Sequence, residues 1–573
     1  MKMYARPGPD HGMPAAGHLG LSQGLVRRGH IGTFPNEVLI KIFTDLGTSG
    51  WTGASRILLQ AMSTCRKWRD VIRGTPEFWN EIHVIRHLEW LGICLERSQQ
   101  LPIHISFHWS RIHLLQALGY LHQHKDRIAS INVRSLHCEQ VKDHVIFPWN
   151  MLQLKTLNVV LEHEHADNAT PHSGRCPPLV LTSPSLEELT VHGLTIDGHP
   201  PAFSSLRRLS IRACSGTRKT HRLPRFLDIL KTCVSLEELD LQETALDAIL
   251  FDIPQATGPM VVLPRLRDLF ISGKVEEVSN LLSHMEVGPS VNIYLETDYQ
   301  EDLSRATFAI RNILPLDIPQ SKLAILRSAT RLLLEVPNAS YEDGVMFITA
   351  TRGMDLDHKL HIAVRVSAEH LEAGDGTASR DAKATYFLNA LEILPTMFPT
   401  APVHTIVCRG EIAACEDPSD WLPLCAGFPR LTTLVIDDSI RFGDAVPLFR
   451  ALASPQSPDD SRPVCRFLES IWICNTDGEV DRLEEIRKCL MWRAANQVPL
   501  KRLRLEVVAS EYDATILRVS EYQAHFAQLV PNSSLVIWDI YNPDHVRRMS
   551  RGIDVEMPFD RRSSSDSMAV DWM

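Results

Sequence analysis

Long hydrophobic runs are missing from this sequence: no stretch approaches the roughly 18–20 apolar residues that a membrane-spanning helix needs. Positive charge is not in excess either. Lys and Arg number 59 against 69 Asp and Glu, a formal net charge of −10, so no electrostatic footprint of a nucleic-acid partner is expected. The 12 cysteines never form a Cys-x-x-Cys pair, and several sit in apolar runs, as Cys233 and Cys474 do. That pattern argues against a disulfide framework and for reduced, buried thiols in a cytoplasmic or nuclear protein.

Signatures of catalysis are absent too. There is no G-x-S-x-G elbow, no G-x-x-x-x-G-K-[ST] phosphate loop, no H-E-x-x-H and no G-x-G-x-x-G after a strand. His163, His165, His172 and Cys176 could supply zinc ligands by type, but their spacing fits no tight frame and their segment has loop composition. His137-Cys138-Glu139 lacks the downstream P-C-x-x-C that deaminase chemistry requires. The expectation is a binding protein without active site, metal or cofactor.

What the chain does have is a dense helical segment from Thr33 to Glu81. Val38, Leu39, Ile42, Phe43 and Leu46 recur at helical spacing, and Leu58, Leu59, Met62, Cys65, Trp68 (or Arg69) and Ile72 form a second stripe. Pro35 suits a first helical turn, and Glu37 lies near the positive end of the helix dipole. A segment this short buries little of its own surface. The rest of the chain or a partner must cover it.

Phe34-Pro35-x-Glu37-x-Leu39-x-x-Ile42-Phe43-x-x-Leu46, then Cys65-Arg66-Lys67-Trp68-Arg69, then Pro76-Glu77-Phe78-Trp79, resembles an F-box. The resemblance implies docking on a Skp-type adaptor and, through it, on a cullin scaffold and a ubiquitin-conjugating enzyme. Carried over onto the matching positions, Phe34, Pro35, Leu39, Ile42, Phe43, Leu59 and Trp68 would line the adaptor groove. The small size of the unit favours an exposed, partner-covered face for Pro35, Ile42 and Phe43. Leu46, Cys65 and Ile72 read equally well as helical core.

Downstream, a unit L-x-x-L-x-L recurs. Clear copies start at Leu154, Leu186, Leu206, Leu236, Leu266, Leu431, Leu468 and Leu500, with weaker ones at Ile128 and Val403. Alternate residues of such a short strand point into a core, and the leading residue turns in at its edge. Repeats of this period resemble an irregular leucine-rich repeat. Helical segments separate some units, at Leu223–Thr232, Asp444–Ala453 and Val480–Ala494. Residues 275–400 are the least legible; strands are expected at Val291–Leu295, Arg331–Glu335, Val345–Ala350 and Leu360–Val366. Helices are expected there at Asp302–Asn312 and Ala384–Leu394, with Ser367–Ala382 as an exposed loop. They read as a continuation of the repeats.

The expected architecture is α/β: a small N-terminal helical F-box over 33–82, then an irregular leucine-rich-repeat-like α/β solenoid over 83–545. Residues 1–32 and 546–573 are expected to be disordered tails, the second with serines open to phosphorylation. The repeat face would present an unknown protein substrate. Side chains alternating with the core leucines form that face: Arg208 and Arg212, Asp240, Phe270, Trp472 and Arg504, with Phe270 and Trp472 as anchors. No nucleic acid or membrane partner is expected. A rival reading is a repeat scaffold whose F-box-like helices merely cap the first repeat.

Overall fold

Alternation of buried and exposed residues builds one seventeen-stranded sheet in the computed structural model. The structure describes residues 34–47, 54–84, 88–108, 114–137, 150–162, 178–179, 183–193, 195–196, 203–212, 221–242, 249–250, 260–299, 312–314, 323–336, 344–353, 359–366, 377–410, 414–437, 444–457, 460–477, 480–509 and 512–539. Both expected tails, the His163–Cys176 cluster, Cys138, the C-terminal serines and almost all of Asp302–Asn312 lie outside these residues. The chain divides into two compact units, Met1–Asn80 with Cys94–Leu101, and Glu81–Ile93 with Pro102–Met573.

The first unit is helical. Helix α1 (Asn36–Gly47) is followed by α2 (Ala54–Thr64) and α3 (Arg66–Gly74), then by a short 3-10 turn, Pro76–Trp79. Cys65 is extended and caps α3, its sulfur accepting from the Trp68 amide at 3.5 Å. Thr75 ends the helix, and the Trp79 indole donates to the Ile72 carbonyl at 2.8 Å. The unit boundary falls inside α4 (Leu88–Arg97).

The sheet strands are β1 (Glu81–Val84), β2 (Ile103–His108), β3 (Ile128–His137), β4 (Thr156–Glu162), β5 (Glu188–His192) and β6 (Arg208–Arg212). Next come β7 (Glu238–Gln242), β8 (Asp268–Ser272), β9 (Asn292–Tyr299), β10 (Arg331–Glu335), β11 (Gly344–Thr351) and β12 (Lys359–Val366). The last are β13 (Thr405–Arg409), β14 (Thr433–Asp437), β15 (Ser470–Asp477), β16 (Arg502–Ala509) and β17 (Asn532–Asp539). From β1 to β9 neighbours follow chain order and run parallel. The order then breaks. Strand β9 pairs with β12, antiparallel β11 lies next, and β10 follows before β13 resumes the parallel run to β17.

Register explains the repeat. The first strand leucine of each unit falls in one cross-strand row: Ile131, Leu157, Leu189, Leu209, Leu239, Leu269, Ile406, Leu434, Ile471 and Leu503, all buried. The leading residues, from Ile128 and Leu154 to Leu468 and Leu500, are buried as well. Each such side chain contributes roughly 1.5–3 kcal/mol when taken out of water. The second row is equally apolar, although Ile211 is only half-buried. Residues 275–400 continue the rows with Ile293, Leu332, Ala350 and Leu360.

Helices include α5 (Leu223–Thr232), α6 (Val275–Ser283), α7 (Thr377–Met397), α8 (Pro418–Gly427), α9 (Val446–Leu452), α10 (Val480–Ala495) and α11 (Tyr512–Leu529). Helix α7 corrects the expected loop Ser367–Ala382, because Thr377–Ala382 is helical. Its alanines and absence of Gly and Pro there favour helix over loop. Gly427 ends α8 where an added Cβ would collide with the Pro395 ring of α7. Nine cysteines are described, none in a disulfide and all but Cys65 buried. Burial pushes the Cys94, Cys233, Cys408 and Cys489 thiols up to about 12, which makes them packing groups rather than nucleophiles. No described helix is long and apolar enough to cross a membrane.

Candidate docking surfaces

Helix α1 sorts its apolar residues into two rows. Leu39 and Phe43, four apart, turn inward and are 0% and 1% exposed. The Phe43 ring meets Trp68 edge-on at 5.1 Å and Phe78 at 6.2 Å. Phe43 is therefore not the exposed, partner-covered residue the sequence suggested; it is the aromatic centre of its own unit. Leu39 is core for the same reason, its aliphatic side chain already out of water.

The second row faces outward. Phe34, Val38 and Leu46 are 37%, 43% and 45% exposed, and Ile42 between them is half-buried. Residues four apart share a helix face. Pro35 is exposed at the start of this row, and on α2 Leu59 is 46% exposed. Leu46, which read equally well as core, is thus on the surface. Trp68 is half-buried, and its indole nitrogen is buried without a hydrogen-bond partner. Lys67 donates to the Phe34 carbonyl at 2.7 Å and fixes the entry to α1. Arg69 donates to the Met62 carbonyl at 3.0 Å, and Arg97 lies 4.5 Å from the Trp79 ring.

The sheet carries the second surface. Next to the first apolar row runs a polar one: Glu188, Arg208, Glu238, Asp268, Asn292, Lys359, Thr351, Arg331, Thr405, Thr433, Ser470 and Arg502 occupy one cross-strand line. Arg208 is exposed and grips Glu238 through two bonds of 2.5 and 2.7 Å. Asp240 accepts from Ser210 and Gln242, each at 3.0 Å. Burial pushes its carboxyl above the usual range, against those two hydrogen bonds and nearby Arg212.

Phe270 and Trp472 are both half-buried on this side of the sheet. Trp472 belongs to a tight cluster: its indole donates to Glu506 at 3.3 Å, and the Arg504 guanidinium lies 4.5 Å from its ring. Arg504 donates to the same Glu506 oxygen at 2.7 Å. Phe270 starts an array that sequence reading missed. Its ring stacks on Tyr294 at 6.4 Å, Tyr294 meets His361 at 6.1 Å, and His361 stacks on Phe347 at 5.2 Å. Alternation was the available signal, since Ile293 and Leu295 turn inward and leave Tyr294 outward. Val435, at the alternating position of β14, is buried, as is its neighbour Val407 on β13.

Among the described residues, no group of His, Cys, Asp or Glu is placed to hold a metal ion. The model of the F-box-like family matches residues 31–85. The chain carries an F-box-like domain. Domains of this family typically bind Skp-type adaptors, and the outward row of α1 lies inside the matched span. No curated protein matches the chain as a relative.

Proposed function

We propose that this protein is the substrate-recognition adaptor of a Skp–cullin–F-box type ubiquitin ligase. The observation that carries the reading is the row Phe34, Val38, Ile42 and Leu46, apolar and outward-facing within the F-box-like span. Large apolar side chains aligned on a small unit mark an interaction surface. Leu59, Pro35 and the Trp68 edge extend it. The same exposure weighs against the rival in which these helices only cap a repeat.

The sheet supplies the other end. Mostly parallel strands in chain order, most of them bringing a leading buried residue and two buried strand residues, support an irregular leucine-rich-repeat-like solenoid. Its polar side, with Arg208, Arg212, Asp240, Phe270, Trp472 and Arg504, presents the protein substrate. The chain itself performs no covalent step in this reading and requires no cofactor. It tethers substrate near a conjugating enzyme and raises the effective concentration of substrate lysines. It works in the cytoplasm or nucleus, where that machinery resides.

Affinity capture with the intact chain and with Val38→Glu plus Leu59→Glu tests the reading. Loss of adaptor and cullin together, with other partners kept, supports it. Unchanged capture of the adaptor by a folded variant sinks it.

A further inference from the structure

The two ends of the strands around β10 differ in charge. At the end where β10 begins, the polar line runs from Asn292 through Lys359, Thr351, Arg331, Thr405 and Thr433 to Ser470. This stretch holds two cations and no carboxylate. Four residues further along, the same face carries Glu296, Glu335, Arg409 and Asp437. These charges are engaged: Arg409 lies 3.9 Å from Glu335 and 3.7 Å from Asp437, and Glu296 has an interaction of its own. Past the Asn292 end of the stretch, Asp268 accepts from the Asn292 amide at 2.9 Å. In the turns beside it Arg352 and His404 are exposed, and Glu469 is held by Lys501.

Arg331 stands out within this stretch. It is half-buried, yet no described residue offers it an ion pair or hydrogen bond. Burial, then the Arg409 guanidinium, lowers its pKa. Arginine stays charged in a protein, so such a charge is relieved only by water or an anion. Lys359 stands two strands away, about 10 Å by ordinary strand spacing. Its ammonium lies 4.9 Å from the Tyr294 ring, and the adjoining His361 is bonded to Thr349 at 2.9 Å. Apolar surface borders the guanidinium: Leu333 and Phe347 are half-buried on the same face, and Val407 is buried there.

We propose that Arg331 receives a carboxylate of the substrate, an Asp or Glu within an acidic segment whose neighbouring apolar side chain packs on Leu333 and Phe347. The planar guanidinium matches a carboxylate through two parallel bonds. One uncompensated charge suits that monoanion better than a phosphate, which carries nearly two charges. Lys359 draws a second acidic residue of the same segment. The inference rests on the reading that this face of the sheet receives substrate.

The test presents an arrayed library of random-sequence peptides to the full-length chain. Retained peptides should be enriched in Asp or Glu next to a large apolar residue, and their binding should weaken with added salt. Arg331→Gln should weaken a retained peptide by about tenfold or more, Arg331→Lys by less, and Lys359→Met least. Because Arg331→Gln removes a charge without a counter-ion, the thermal midpoint should hold or rise. A lowered midpoint would mark a structural guanidinium and overturn the proposal. Enrichment of basic or uncharged peptides overturns it too, as does a preference for phosphoserine over Glu at the selected position, indifference to Arg331→Gln or retention of no peptide. Adaptor capture is measured on the same preparations. If it persists while acidic selection fails, only this inference falls; if selection holds while capture fails, the ligase reading falls and the acid site stands.

Discussion

The helical unit and the sheet place their apolar residues differently. In the sheet nearly every aliphatic residue of the repeat is buried in rows that register exactly enough to name strand by strand. The helical unit buries Leu39, Phe43, Ile72 and Trp79, yet leaves Phe34, Val38, Leu46 and Leu59 substantially exposed. A long parallel sheet can satisfy its own apolar periodicity by adding strands. Three short helices cannot, and their surplus becomes a surface that a partner can cover.

Substitutions that exchange the two behaviours sharpen this contrast. The largest effect is expected at the core of the helical unit. Phe43→Ala should cost that unit about 3–5 kcal/mol, because the ring fills space between Trp68 and Phe78. Limited proteolysis of the first hundred residues would detect it, while Val38→Ala should pass almost unnoticed. Equal losses at the two positions would erase the distinction between inward and outward rows.

Arg493 offers the next test, on the sheet side. Its guanidinium is fully buried and donates to the carbonyls of Leu452, Val464 and Cys465 at 3.2, 3.3 and 3.2 Å. Burial lowers its pKa. Arg493→Ala leaves those carbonyls bare at a cost of about 1–3 kcal/mol, readable as a lowered denaturation midpoint. An unchanged midpoint would mean that water replaces the guanidinium.

A smaller, pH-dependent effect is expected at His361. Burial, then the Lys359 charge, lowers its pKa below the ordinary 6.5. A depressed pKa means that the neutral form is favoured in the fold. Its contribution is present above the ordinary value and is lost as pH falls through the lowered one. Replacing His361 by Gln should flatten that part of the stability profile; an identical profile would remove His361 as its source. The smallest effect belongs to surface pairs along the sheet edge, such as Lys501 with Glu469 at 2.5 Å. Both side chains are well exposed, so Lys501→Met should cost no more than about 1 kcal/mol in thermal unfolding.

Much of the sheet was legible because L-x-x-L-x-L encodes both strand and row, and Leu239 or Leu503 could be assigned inward from spacing alone. The section around β10–β12 was not. There Ala329 stands where other repeats carry Leu, and β11 runs against its neighbours. Periodicity says which residues turn inward but not which strand lies alongside, so the β9–β12 pairing and the aromatic array stayed hidden. In α1 the difficulty was the width of the stripe. Val38, Leu39, Ile42, Phe43 and Leu46 cover more of the helix than one small core can use, and only packing against Trp68 and Phe78 decides which row turns in.

The central claim is that the outward row of α1, and not its buried one, engages a Skp-type adaptor. Titration calorimetry of the full-length chain with that adaptor tests it, comparing the unsubstituted protein with Val38→Glu plus Leu59→Glu. The account predicts that binding is lost while thermal unfolding is unchanged. Undiminished affinity in a folded double variant would contradict it.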